Sequence, residues 1–192
     1  MAKKYEFQPD KPYSNWLNKL RLTKYQQKQV LKWSLYALLL ILVSVVQDVI
    51  LCRMRIWGAT TELVPCCIFL ICILEGSQNG SVFALAGAFF YLASGSSPGP
   101  QVLILIVLPA ILLAILRQTY LQSGILSALL CTLLAMAVYE ALVFGFCLLL
   151  GYTTLSRFVS FMVSALLSPI AVPILYLIAK PIGAIGGRSW KE

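Results

Sequence analysis

The chain has 192 residues, of which 60% are hydrophobic and 11% are charged, and its formal net charge at pH 7 is +8. Soluble domains carry roughly 25% charged residues, so a water-soluble domain of this length would lack the polar side chains to cover its surface, and the composition predicts a membrane protein. The sequence contains no histidine, which removes the commonest metal ligand and general base.

A basic leader, residues 1–32, precedes the first apolar run and holds eight of the fifteen Lys and Arg residues. We expect it to lie beside the cytoplasmic face of the membrane. Trp16, Leu17 and Leu20 either form the apolar side of a helix on the membrane surface, or the leader is solvated and only fixes orientation. A basic cluster directly before a membrane span argues against nucleic acid as a partner.

A six-helix membrane domain, residues 33–180, is predicted next, and a basic cytoplasmic tail, residues 181–192, follows it. The predicted spans are approximately residues 33–52, 63–74, 80–93, 102–116, 125–150 and 158–179. The second and third spans are shorter than the roughly 20 residues that a straight transmembrane helix needs.

Two arrangements of these short spans are possible. A re-entrant hairpin would put Glu75, Gln78 and Asn79 near the middle of the membrane, which is costly unless they line a wet cavity. Two short helices that extend into residues 60–62 and 76–77 avoid that cost, and we favour them.

The distribution of basic residues predicts the orientation. With six spans and a cytoplasmic N-terminus, the cytoplasmic segments hold twelve Lys and Arg residues and the outer loops hold three. Cytoplasmic loops of membrane proteins carry the excess of positive charge, so both termini are expected in the cytoplasm.

Two features of the spans are candidates for partner binding. Glu140 lies inside the fifth span, where an ionisable side chain is costly and points to function by default; the alternative is a protonated or hydrogen-bonded glutamate packed against Tyr139 or a neighbouring serine. Gly80, Ala84 and Ala88 recur every four residues on the third span, a pattern that lets helices approach closely within the chain or against a partner. We take Glu140, Gly80, Ala84 and Ala88 as the candidate partner-binding residues.

Catalytic motifs are missing from the sequence. There is no Gly-rich phosphate loop, no metal cluster and no nucleophile with a base, so no catalytic residue, cofactor or metal is predicted and an enzyme is not expected. The six cysteines lie in or beside apolar runs and are expected to pack as small hydrophobic side chains. Pro169 and Pro173 are expected to kink the last span.

Several short patterns between residues 33 and 180 occur in the order found in one bacterial family. They are Gln47 near the end of the first helix, a polar stretch with a proline at 62–65, Glu75-Gly76 closing the second helix, a Gly-rich third helix at 80–87, a Ser-Gly turn at 94–95 and Tyr139-Glu140 in the fifth helix. With the basic leader, these patterns resemble the rod-shape-determining protein MreD family. The chain departs from that family at Tyr91, where aspartate is common, and at Glu75, where a basic residue is favoured.

The resemblance implies a non-catalytic membrane scaffold of the cell-elongation (rod) complex in the bacterial cytoplasmic membrane. Such a scaffold would bind the membrane-anchored MreC and help connect MreB filaments to the cell-wall synthases that make peptidoglycan and set cell shape. The implied fold is an all-α integral membrane protein, a six-transmembrane-helix bundle resembling the substrate-binding components of energy-coupling-factor transporters.

That fold also supplies the alternative function, a vitamin-binding component of such a transporter. Those components carry an Ala-x-x-x-Ala docking pattern on the first helix, whereas here Ile41 follows Ala37 at that spacing. The polar and aromatic residues that would converge on a vitamin at the outer face are Arg53, Arg55, Trp57, Ser96, Ser97 and Tyr152. A proton-coupled transporter that uses Glu140 is the third hypothesis.

Overall fold

The computed structural model describes residues 24–53, 59–95, 97, 99–120 and 124–185. Within these residues the chain is helical and has no β-strand, so the predicted all-α class is confirmed. The α-helices are α1 (Lys24–Val49), α2 (Leu63–Glu75), α3 (Ser77–Ala93), α4 (Val102–Tyr120), α5 (Ile125–Leu149), α6 (Phe158–Leu167) and α7 (Val172–Ala184). Single 3-10 turns occupy Leu51–Arg53, Leu155–Arg157 and Ser168–Ala171.

Three helical segments of the described chain are long and apolar enough to cross a membrane: Gln26–Arg53, Ile125–Leu149 and Leu155–Ala184. Two shorter apolar helices accompany them, Leu63–Glu75 and Val102–Leu116. Large apolar side chains point outward from several helices, with Leu42 58%, Phe89 65% and Leu177 69% exposed. A soluble monomer rarely exposes apolar surface on this scale, so these helices indicate a membrane protein.

Helix α2 forms the centre of the bundle and packs against α1, α3, α4, α5 and α7. Every residue from Val64 to Ile73 is buried, on all sides of the helix. A helix that is apolar all round is stable only when other helices enclose it, and this explains why its run of isoleucine, leucine, cysteine and phenylalanine has no polar face.

The two short helices are joined by a single residue, Gly76. Its backbone φ of 87° lies in the left-handed region, which glycine adopts without a steric penalty. α2 ends immediately before it and α3 begins immediately after it. The expected extension of the second helix into residues 60–62 is wrong, because these residues are not helical and side chains from other helices hold their backbone.

The last long helix is interrupted where the prolines lie. A 3-10 turn at Ser168–Ala171 separates α6 from α7. Pro169 lacks the N–H that would continue the α-helical ladder and its ring crowds the preceding turn, so the local departure from α-helix agrees with the sequence. The turn faces α2, α5 and α7 and places Ser168 in the interior.

The predicted boundary between leader and membrane domain does not coincide with a helix boundary. α1 begins at Lys24, inside the segment predicted as a leader, and Lys32 near that boundary is buried. Trp16, Leu17 and Leu20, which were proposed for a surface helix, lie outside the described residues.

Candidate functional site

Two glutamates mark the ends of the central helix. Glu62 directly precedes α2, and Glu75 is its last residue. Each carboxyl group lies within a cluster of buried polar side chains from other helices. We call these clusters the Glu75 cluster (Lys32, Tyr36 and Glu75) and the Glu62 cluster (Gln47, Glu62, Tyr91, Tyr139, Glu140, Ser164 and Ser168).

The Glu75 cluster is a closed ion pair. Lys32 Nζ from α1 donates to Glu75 Oε2, and the two side chains are 4% and 2% exposed. Tyr36 Oη, one turn further along α1, donates to Glu75 Oε1 over 2.7 Å. Because both carboxylate oxygens have a donor, the buried charge is compensated and hydrogen-bonded.

Aromatic rings and a glycine enclose the Glu75 cluster. Tyr36 packs edge-on against Trp33, and Phe83 of α3 stacks on Trp33 with ring centroids 6.0 Å apart. A Cβ atom at Gly183 of α7 would lie 3.0 Å from Tyr36 Oη, so a side chain at this position would crowd the hydroxyl group. The ion pair therefore joins α1 to α2 at the point where α3 and α7 also converge.

The Glu62 cluster begins with the backbone that leads into α2. Val64 N donates to Gln47 Oε1 of α1 over 2.8 Å, and Glu62 N donates to Ser168 Oγ over 2.9 Å. The first N–H groups of a helix have no partner within that helix. Pro65 has no N–H group, and the N–H group of Val64 finds its acceptor outside the helix. The side chain of Gln47 therefore caps the start of α2.

Glu140 lies in the interior of α5, with 2% of its surface exposed. Ser164 Oγ of α6 is 2.7 Å from Glu140 Oε1 and 2.8 Å from the carbonyl oxygen of Thr60. The neighbouring Tyr139 packs edge-on against Phe69 of α2, with ring centroids 6.0 Å apart. The serine contact is the one proposed from the sequence as an alternative to a functional glutamate.

The Glu62 carboxyl group faces Tyr139, Tyr91 and the carboxyl group of Glu140. Burial raises the pKa of Glu62 to about 7, and the hydroxyl groups of Tyr139 and Tyr91 offset part of that rise. Glu62 is half-buried as a residue, but its Oε2 atom is closed to solvent and accepts no hydrogen bond from the described residues. A buried carboxylate oxygen without a donor is costly, which favours the protonated form.

The four residues predicted for partner binding all lie inside the chain. Gly80, Ala84 and Ala88 are buried on the side of α3 that faces α2, and Glu140 is buried between α5 and α6. A Cβ atom at Gly80 would lie 2.6 Å from the carbonyl oxygen of Cys72. The small residues thus bring α2 and α3 into close contact, and a role in binding a partner stays a prediction.

The structure describes three of the six residues considered for a vitamin site. Arg53 and Tyr152 are exposed and Ser97 is half-buried, while Arg55, Trp57 and Ser96 lie outside the described residues. Their convergence at one face therefore stays a prediction.

Sequence reasoning did not single out Glu62, Ser164 and Ser168 as site residues. Glu62 is expected from the sequence only as part of an extension of the second helix, and Ser164 and Ser168 lie in an apolar run. One signal was available: the two serines are four residues apart and so share one face of a helix. The two positions that depart from the MreD pattern, Glu75 and Tyr91, each belong to one of the two clusters.

Comparison of the sequence with protein-family models gives no match. Neither a curated protein nor a solved structure matches the chain. The resemblance to the MreD family therefore rests on the residues quoted from the sequence, and any function inferred from it is a proposal.

Proposed function

We propose that this protein is a non-catalytic scaffold of the bacterial cytoplasmic membrane, of the MreD type. It would bind the membrane-anchored MreC and, through the complex, MreB filaments and cell-wall synthases. The observation that best supports a scaffold is how the buried polar groups are used. In the described chain they tie helices to one another, through the pair of Lys32 with Glu75, Gln47 with the backbone of α2, and Ser164 and Ser168 with the segment before α2. Such cross-links suit a rigid framework that presents its outer faces to other membrane proteins.

The proposed fold has six spans and both termini in the cytoplasm, and resembles the substrate-binding components of energy-coupling-factor transporters. Two findings support it. α2 lies beside α1 with its ends tied to Lys32 and Gln47, and fifteen residues of helix between those two positions measure roughly 22 Å. Because α3 turns back at Gly76, the pair α2–α3 would supply two short spans in the proposed fold. With six spans, most of the basic residues fall on the cytoplasmic side, in agreement with the excess of Lys and Arg in the cytoplasmic loops of membrane proteins.

A groove on the outside of α3 and α4 is the surface that we propose for a partner's membrane helix. It has a volume of about 420 Å³ and is lined by apolar side chains from both helices: Leu85, Leu103, Ile104, Val107, Leu108, Ile111 and Leu112. Helices in lipid associate through close packing rather than a hydrophobic drive. A recess between two helices offers a partner's helix more contact than a convex helix face does.

Affinity purification in mild detergent tests the scaffold. Recovery of MreC and cell-wall synthases supports the proposal, whereas recovery of an ATPase pair with a coupling subunit, or tight binding of a vitamin, favours the transporter alternative. Ile104→Trp and Leu108→Trp fill the groove and should lower recovery of MreC. Leu177→Trp on α7, where Leu177 is 69% exposed like Ile104, is the matched control and should leave recovery unchanged.

Topology is tested by labelling single cysteines with a membrane-impermeant maleimide in intact cells. A cysteine at Ser97, between α3 and α4, should react from outside. A cysteine at Ser81 on α3, which is near the Gly76 turn, should react only after the membrane is opened. The reverse pattern overturns the proposed orientation.

A further inference from the structure

The hydroxyl group of Ser164 has one hydrogen to donate but lies within hydrogen-bond distance of two oxygen atoms. Its Oγ atom lies 2.8 Å from the carbonyl oxygen of Thr60 and 2.7 Å from Glu140 Oε1. A serine hydroxyl donates one hydrogen, a carbonyl oxygen only accepts, and an ionised carboxylate also only accepts. If Glu140 were ionised, one of these two contacts would bring two lone pairs together without a hydrogen between them.

A proton on Glu140 removes the conflict. The Glu140 carboxyl group then donates to Ser164 Oγ, and Ser164 donates to the carbonyl oxygen of Thr60. Ser168 does not supply the missing hydrogen, because its own hydroxyl donates to the Ser164 carbonyl oxygen over 2.9 Å while its Oγ accepts from Glu62 N. The hydrogen-bond geometry is therefore complete only when Glu140 is a carboxylic acid.

The charged and titratable groups around Glu140 also favour the neutral form. Glu62 faces it from the segment before α2, Tyr139 from its own helix and Tyr91 from α3, with Asp48 of α1 beyond Tyr91. All four are acids. The buried ion pair of Lys32 with Glu75 lies at the other end of α2. An ionised Glu140 would therefore be a buried charge without a counter-charge beside it, which is unfavourable.

We propose that Glu140 is a proton-binding site that controls a latch, the hydrogen bond from Ser164 of α6 to the Thr60 carbonyl oxygen in the segment before α2 (residues 60–62). The bound proton directs the Ser164 hydroxyl at Thr60 and holds that segment in place. When Glu140 releases its proton to water, Ser164 turns its own hydrogen to the carboxylate and the Thr60 carbonyl loses its donor. The contacts of Glu62 with Ser168 and of Val64, at the start of α2, with Gln47 remain.

The protonation state is tested by infrared spectroscopy of the purified protein at neutral pH. Wild-type protein should show a protonated-carboxyl C=O band that Glu140→Gln lacks. The amide of this variant fills the same space and still has a hydrogen to donate to Ser164. Glu62→Gln is the control that identifies the contribution of the second acid. If Glu140→Gln instead removes intensity from the carboxylate bands, Glu140 is ionised and the proposal is wrong.

The latch is tested by the reactivity of a cysteine at the half-buried Thr61, in a background where the exposed Cys52 is serine. The labelling rate of the cysteine at position 61 is divided by that of a cysteine at the exposed Ser156. This ratio corrects for the rise in labelling that thiol ionisation causes at alkaline pH. We expect the ratio to rise about fivefold at alkaline pH in the wild type, the effect of one hydrogen bond.

The two variants distinguish the latch from a general loosening of the fold. In Glu140→Gln the ratio should stay low at every pH, since the amide keeps Ser164 directed at Thr60. In Ser164→Ala, which has no hydroxyl, the ratio should be high at every pH. An alkaline rise in Glu140→Gln equal to that in the wild type would overturn the latch.

Discussion

Lys32 and Glu75 are 43 positions apart in the sequence and form an ion pair in the interior of the bundle, with both side chains at most 4% exposed. The pair connects the first helix to the last residue of the central helix. Two charges removed from water stabilise a fold little in comparison with well-packed apolar side chains, but each becomes very costly when its partner is lost. The pair is therefore expected to fix which helices meet at this end of α2.

Glu75→Leu should destabilise the protein by about 3–5 kcal/mol, because it leaves the Lys32 ammonium group buried without a counter-charge. The combined variant Lys32→Met, Tyr36→Phe and Glu75→Leu removes the whole cluster and should recover most of that loss. Thermal unfolding in detergent, followed by loss of the monodisperse peak, measures both. If the combined variant is no more stable than Glu75→Leu, the ammonium group is not the cause.

Gly80→Ala should lower stability by about 1–3 kcal/mol, as expected when a well-packed interface is overfilled. The added Cβ atom would lie 2.6 Å from the carbonyl oxygen and 2.9 Å from the Cα atom of Cys72, and backbone atoms of α2 have little room to move. Gly145→Ala on α5 is the matched control, since a Cβ atom there meets nothing within 4 Å. The control should be neutral or stabilising by up to about 1 kcal/mol, the helix propensity difference.

The same pair of variants separates internal packing from partner binding at the small-residue strip. If Gly80→Ala leaves thermal stability unchanged and instead lowers recovery of a partner protein, the strip faces a partner in the cell. A loss of stability without a partner present shows that its role is within the chain. Unchanged stability and unchanged recovery would contradict both readings of the strip.

Gln47→Leu should destabilise the protein by about 1–3 kcal/mol, the cost of leaving a buried N–H group without an acceptor. Gln47 Oε1 is the acceptor for Val64 N at the start of α2, and the side chain is 7% exposed. Gln27→Leu, an exposed position on the same helix, controls for the change in polarity. Equal effects of the two substitutions on the unfolding temperature would argue against the capping role of Gln47.

Stability should fall as the pH rises through neutrality because of Glu62. Its carboxyl group has a pKa of 4.5 in the unfolded chain and about 7 in the folded protein, where burial disfavours the charged form. The folded state thus binds the proton more tightly, and the stability that this contributes is complete below pH 4.5 and lost as the pH rises through about 7. Glu62→Gln, which does not ionise, should have a flatter profile of unfolding temperature against pH. A wild-type profile no steeper than that of the variant would contradict the assignment.

Much of the local structure could be read from the sequence. The bounds predicted for the second span, residues 63–74, differ from those of α2 by one residue at the end, because Glu62 and Gly76 flank an uninterrupted apolar run. The proline pair likewise marked the 3-10 turn at Ser168–Ala171. These features were accessible because helix ends and proline effects depend on residues within a few positions of each other.

The polar clusters were harder to foresee. Glu140 was singled out, and its contact with a serine was one of the two alternatives that the sequence left open. Glu62 was assigned to a helical extension, and the contact of its N–H with Ser168 joins positions 106 residues apart. Contacts at such separations depend on how far each helix is rotated and at what depth it lies, and neither is encoded in a periodic pattern when the whole helix is apolar.

Composition and hydropathy by themselves determined that the protein is helical and suited to a membrane. A chain with so few charged residues hides its backbone polar groups most readily by forming helices, whose hydrogen bonds close within each segment. Which polar side chains meet was decided only by the tertiary structure. The packing of α2 among five helices places Glu75 against Lys32 and brings Glu62 and Glu140 to Ser168 and Ser164. These contacts form because a polar group enclosed by apolar helices is stable only beside a partner, and the partners lie on other helices.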